Sequence, residues 1–172
     1  MAACRRSKFP GNRPESTRIE SGPGTDLRKV SDFMGFWGTK SYDNDLAADA
    51  LDAGFDRVHG DRYEELMDDR NPVPFEKVQE RLASLETLKE ALAALEEAIV
   101  DLDPEDEDDP ALALAGIVVR HVECKVSVPE EILRRAIAAL EAEEIEWPQA
   151  TERKLRIDKE IAMLRRQLPQ DG

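Results

Sequence analysis

The chain has 172 residues, 41% hydrophobic and 36% charged, with a formal net charge of −14, a composition that suits one soluble domain with a real core. Residues 1–33 hold seven Lys and Arg against four Asp and Glu, whereas residues 34–172 hold 17 against 34, a net −17; a body this acidic repels a phosphate backbone, which argues against direct nucleic-acid binding. Two cysteines, Cys4 and Cys124, form neither a disulfide framework nor a four-ligand zinc set, and no apolar run is long enough to span a bilayer, so a reducing, cytoplasmic setting without membrane contact is expected.

Residues 1–33 are rich in Arg, Ser, Pro and Gly and scatter their large apolar residues (Phe9, Ile19, Leu27, Val30, Phe33), which predicts a disordered basic extension. Two readings of it stand side by side. Either Met34 is the true initiator and the upstream segment over-extends the gene, or a basic tail folds back on the acidic body. A single acidic helical domain is expected over 34–172.

The run Met34-Gly35-Phe36-Trp37-Gly38-Thr39-Lys40-Ser41-Tyr42-Asp43-Asn44-Asp45 packs aromatics, glycines and three consecutive Asx residues into one short stretch, which specifies a particular backbone path. Asp43 or Asn44 is a good N-cap for a helix through about Phe55 with Leu46, Ala50 and Leu51 inward. Gly60, Asn71-Pro72 and Pro74 mark residues 56–74 as a connector around a short helical piece from Arg62 to Met67. From Phe75 to Leu102 the spacing of Leu85, Leu88, Leu92, Leu95, Ile99 and Leu102 predicts one long helix with a single apolar stripe.

The acidic run 101–109 then reads as a solvated loop. Asp109 as N-cap with Pro110 at the first position opens a helix whose apolar residues, Leu112 to Val122, point nearly all round it. The alternative there is a β-strand over Gly116–Val122. Ser127-Val128-Pro129-Glu130 has capping-box spacing and starts a helix that buries Leu133, Ala136, Ile137 and Leu140 and stops near Trp147-Pro148. A last helix over 149–168 places Ile157, Ile161, Leu164 and Leu168 inward and Arg153, Lys154, Arg156, Lys159, Arg165 and Arg166 outward.

Met34, Gly35, Trp37, Gly38, Tyr42, Asp43, Asn44, Asp45, Ala48, Asp49 and Leu51 together resemble the opening of the bacterial domain-of-unknown-function family 4259, and Asp109 to Val119 is similar to its later alanine-rich helix. The resemblance covers about residues 34–168. That family carries no assigned activity, so the resemblance implies a fold and no chemistry. The fold class expected is all-α: an irregular bundle of about five helices with an N-terminal aromatic arm packed against it.

Several constellations invite a chemical reading. Trp37, Tyr42, Asp43, Asn44 and Asp45 form the candidate binding stretch, in which Trp37 is either a stacking platform or a plug at the end of the bundle. Asp43, Asp45, Asp49, His59 and Asp61 supply oxygen and imidazole donors of the kind a divalent metal takes, although no Glu-x-x-His or His-x-x-x-His motif orders them. His121 and Cys124 lie three apart on a predicted helix, the spacing of a base and a nucleophile, with no third residue placed to orient the histidine. No nucleophile elbow and no Gly-rich phosphate loop occur, so neither a catalytic set nor a cofactor is expected. The function that fits is a non-enzymatic interaction, immunity-like or regulatory module engaging a basic protein; the alternative is a small metal-dependent enzyme or ligand binder using the Asp43–Asp61 region.

Overall fold

Asn44 opens the helical body. Its backbone is extended (φ −131°, ψ 152°) and its side-chain oxygen accepts the Ala47 N–H at 2.8 Å, which satisfies one of the donors a helix N-terminus leaves unpaired. Helix α1, Asp45–His59, runs one turn past the expected Phe55 and buries Leu46, Ala47, Ala50, Leu51, Gly54 and Phe55. The structure, a computed structural model, describes residues 38–68, 70–100, 102, 109–145 and 150–169. The expectations for residues 1–37, Trp37 included, for most of the acidic run 101–109 and for Trp147-Pro148 lie outside the described residues.

The chain turns at Gly60 (φ 50°) into α2, Asp61–Met67. The single helix expected over 75–102 is two, α3, Phe75–Leu82, and α4, Leu85–Val100. Ala83 leaves helical geometry (φ −60°, ψ 135°), and Ser84 and Thr87 cap one another: the Ser84 N–H donates to Thr87 Oγ1 at 2.9 Å and the Thr87 N–H to Ser84 Oγ at 3.2 Å. This reciprocal pair works as a capping box. The inner face of α4 keeps only part of the leucine stripe, Leu88 and Leu95 with Leu92 partly buried, and adds small residues beside it. Thr87, Leu88, Ala91, Ala94 and Leu95 are buried, while Leu85 and Ile99 stand 40% and 36% exposed.

Close approach of α1 explains the alanines on that face. A Cβ on Gly54 would lie 2.6 Å from the Ala91 nitrogen and 2.7 Å from its Cα, distances at which backbone has to move. Gly54→Ala is therefore expected to cost about 1–3 kcal/mol by overpacking, in spite of the better helix propensity of alanine. Urea denaturation checks this; a stability equal to or above the parent's would mean that α1 and α4 are not in that contact.

Helix α5, Pro110–Glu123, is the central element. Asp109 Oδ1 accepts the Ala111 and Leu112 N–H groups at 2.8 and 3.3 Å, with Pro110 at the first position, where its missing N–H removes no helical bond. Every residue from Leu112 to Val122 is buried, so a strand over 116–122 is not formed. Lys125 (φ 65°) ends the helix. The Val126 N–H donates to His121 O at 3.0 Å and the Lys125 N–H to Val122 O at 2.9 Å, the Schellman pattern with lysine at the position glycine usually takes.

Helix α6, Glu130–Ala142, buries Leu133, Ala136, Ile137 and Leu140 as expected, but the Ser127–Glu130 capping box is not made: Pro129 holds the cap position and no side chain bonds there. The helix also stops short of Trp147-Pro148, because Glu143 leaves helical geometry (φ −63°, ψ 120°) to direct its carboxylate into α7, Ala150–Arg165. Helix α7 holds the largest departure from expectation. Ile157 and Leu164 are buried, but so are Arg153 and Glu160, at 0% and 1% exposure; Arg153 belongs to the inner face, not the outer one.

The described residues thus form an all-α fold of seven helices and no strand, against about five expected, since the 75–102 element divides and Asp61–Met67 is a helix in its own right. Among the described residues no helix is long and apolar enough to cross a membrane.

Candidate functional site

The segment that the sequence singles out as a binding stretch is held by a buried chain of charges. Arg153 forks onto Glu143 (Nε to Oε1 2.9 Å, Nη2 to Oε2 2.5 Å) and donates from Nη1 to the Thr39 carbonyl at 2.9 Å. Both of its terminal nitrogens also donate to Ser41 Oγ at 3.2 Å. The Ser41 hydroxyl in turn donates to Glu160 Oε2, and the Ser41 N–H to Glu160 Oε1 at 3.2 Å. Charge-assisted and bidentate bonds of this kind are among the strongest a protein makes.

The chain of charges continues through Arg156, which donates to Glu160 at 2.8 Å and to Glu123 at 2.5 Å. The other oxygen of Glu123 accepts the Tyr42 hydroxyl at 2.8 Å and lies 3.5 Å from Arg120. Arg120 reaches α3, donating to Gln79 Oε1 at 2.7 Å and to the Glu76 carbonyl at 2.8 Å. Its guanidinium and the Lys40 ammonium both lie against the Tyr42 ring, 5.5 and 5.2 Å from the centroid, as cations do over an aromatic face. Burial, then the hydrogen bond and charge of Glu123, raise the Tyr42 phenol above its ordinary value, so it remains a donor. On α5, Gly116 admits the segment: a Cβ there would lie 2.4 Å from the Ser41 carbonyl oxygen.

The stretch is also bonded locally. Asn44 caps α1 and donates from Nδ2 to the Ser41 carbonyl at 2.7 Å, and Asp43 Oδ2 accepts the Lys40 N–H at 3.0 Å. No buried side-chain nitrogen or oxygen among the described residues lacks a partner. Residues 39–44 are a clasp that ties the N-terminal side of the body to α5 and α7.

The other candidates part company. His59 lies 2.9 Å from the Leu82 carbonyl through Nε2, fixing the end of α1 to the end of α3, while Asp45, Asp49 and Asp61 are exposed. Among the described residues no group of three or more His, Cys, Asp or Glu is arranged to hold a metal ion. His121 is enclosed, Nδ1 donating to the Ile117 carbonyl at 2.8 Å and Nε2 facing Thr87 Oγ1 at 3.0 Å, with Phe55 stacked on its ring at 5.8 Å. Burial lowers its pKa to about 4. Burial also pushes the Cys124 thiol up, the opposite of what a nucleophilic cysteine requires.

A cleft between α1, α2 and α3 remains open. Its apolar part, about 260 Å³, is lined by Leu51, Tyr63, Met67 and Phe75, and Phe75 is 42% exposed. A contiguous acidic part of about 440 Å³ shares Asp49, Asp52, Tyr63 and Met67 and adds Asp56 and Glu64. The hydroxyl of Tyr63 donates to Asp52 at 2.8 Å, which locks the phenol against α1. Asp45, Asp49, Asp52 and Asp56 are all exposed, and their spacing of four, three and four draws one stripe along α1. A larger cleft of about 710 Å³ lies between α6 and α7, but its rim residues Ile145 and Ala150 flank residues 146–149, outside the described residues.

No family model, curated protein or solved structure matches this chain.

The candidates therefore rest on geometry. The structure separates the sequence-derived set into the clasp (Tyr42, Asp43, Asn44), the acidic stripe (Asp45, Asp49) and single positions elsewhere (His59, Asp61). Sequence reasoning missed Asp52, Asp56, Tyr63, Met67 and Phe75. The spacing of the aspartates was a signal available in the sequence; the pairing of α1 with Phe75 was not, because the two are brought together only by the fold.

Proposed function

We propose that this protein is a non-enzymatic, intracellular interaction module of the immunity-like or regulatory kind, whose acidic surface engages a basic partner protein. The observation that carries the reading is the distribution of charge partners. Arg120, Arg153 and Arg156 are drawn into the clasp, whereas Asp45, Asp49 and Asp56 have no ion-pair partner among the described residues. Surface charge left open in this way steers and selects an oppositely charged partner. The resemblance to family 4259 is part of the proposal, with an N-terminal aromatic arm as its structural element. Tyr42, Asp43 and Asn44 each have a defined part in the clasp, which supports reading that opening motif as a folding signature rather than a site.

The test is affinity capture with the full chain at about 0.05 M and about 0.5 M salt, between which exposed charge pairs become screened, followed by identification of what is retained. The expected result is a basic protein held at low salt and released at high salt. Association only with acidic or neutral partners, or with DNA, would overturn the reading.

A further inference from the structure

We propose that the cleft between α1, α2 and α3 is a docking site for a basic amphipathic helix of a partner protein, and this rests on the reading of the chain as an acidic interaction module. The cleft joins two chemistries along one edge. On one flank Met67 and the exposed ring of Phe75 offer apolar surface beside the buried Tyr63; on the other, Asp49, Asp52 and Asp56 from α1 face Glu64 from α2. A helix whose large apolar side chains point down and whose lysines or arginines line one side matches both flanks, the mode in which amphipathic helices enter apolar grooves.

Charge complementarity identifies the occupant. A second copy of this acidic chain would bring like charge to the stripe, and an anionic membrane surface would be repelled by it. A hydrated inorganic cation would have no use for the apolar flank. Met67 suits the wall of such a groove because its thioether adapts to differing side chains, while Tyr63, buried against Phe55 and tied by its hydroxyl to Asp52, gives the groove a fixed floor.

The probes are a synthetic leucine–lysine amphipathic peptide, the same peptide with serine for leucine, and an oligolysine. Binding is read by calorimetry and by amide chemical shifts on the full-length protein. The leucine–lysine peptide is expected to bind at low salt and to shift residues of α1, α2 and the start of α3. Phe75→Ser and the double variant Asp49→Asn/Asp56→Asn, all at exposed positions, should each weaken it by roughly tenfold with the helical circular dichroism unchanged. The serine peptide should bind at least as weakly as the leucine–lysine peptide binds the Phe75→Ser variant.

Absence of binding by the leucine–lysine peptide, equal binding of the serine peptide, shifts confined to other helices, or indifference to both variants would each overturn the groove. Oligolysine separates that failure from a failure of the wider reading. If it binds in a salt-sensitive way that the variants leave unchanged, the groove is wrong and the acidic module stands; if neither it nor any basic protein associates at low salt, both fall.

Discussion

Replacing Arg153 with methionine is expected to destabilise the protein by about 3–5 kcal/mol, the cost of leaving a buried charge without its partner. Arg153 is fully buried, as are the carboxylates it holds; the side chains of Glu143 and Glu160 are 3% and 1% exposed. Methionine fills much of the arginine volume, so the loss is electrostatic rather than a cavity. Glu160 would retain Arg156 and Ser41, but the fork that holds Glu143 would be gone, and with it the bond to the Thr39 carbonyl. Against a typical total stability of about 5–15 kcal/mol the variant would be close to unfolding at room temperature. Urea denaturation measures the effect. Adding Glu143→Leu should recover part of the loss, because removing both members of a buried pair is far milder than removing one. A single-variant loss below about 0.5 kcal/mol, the size expected of an exposed position, would show that Arg153 is not enclosed as described.

Acid is expected to weaken the fold through His121. An unfolded imidazole takes its proton near pH 6.5, whereas the buried ring, disfavoured by desolvation, does so at about 4. Between these values the unfolded chain binds more protons than the native one, so stability falls as pH falls. The contribution is fully present above pH 6.5 and is lost progressively on the way to pH 4, on the order of 3 kcal/mol in all. Denaturation of the parent and of His121→Gln at stepped pH isolates the effect, since every other group is common to both. The variant is expected to be less stable at pH 7 and to lose less between pH 6.5 and 4.5; parallel curves would contradict the assignment.

The helical class and most capped starts were legible because they depend on local chemistry: Asn44 before α1, Asp109-Pro110 before α5, and the all-round apolar pattern that makes α5 central. What escaped depends on partners distant in sequence. Arg153 and Glu160 sit at helical spacing with Ile157 and Leu164, so periodicity already assigned them inward; reading charge as exposure overrode that signal, and only the presence of Glu143, Ser41 and Arg156 makes their burial affordable. The break at Ala83-Ser84 was hidden by leucines that continue at helical spacing beyond it, although Ser84-x-x-Thr87 carries the cap that restarts the helix. Of the candidate site, the α1 aspartate stripe could be read from spacing. Its apolar flank could not, because Tyr63, Met67 and Phe75 lie on two other helices.

The claim on which the rest depends is that residues 39–44 form a structural clasp, leaving the acidic cleft as the surface for recognition. A double-mutant cycle between Ser41→Ala and Glu160→Gln tests it most directly, since the two groups are 119 positions apart in sequence and meet only if the clasp closes on α7. A coupling of about 1–3 kcal/mol, as found within one buried network, is the result predicted here. Additive losses to within about 0.5 kcal/mol would mean that the clasp is open and that the stretch is free to serve as a binding site after all.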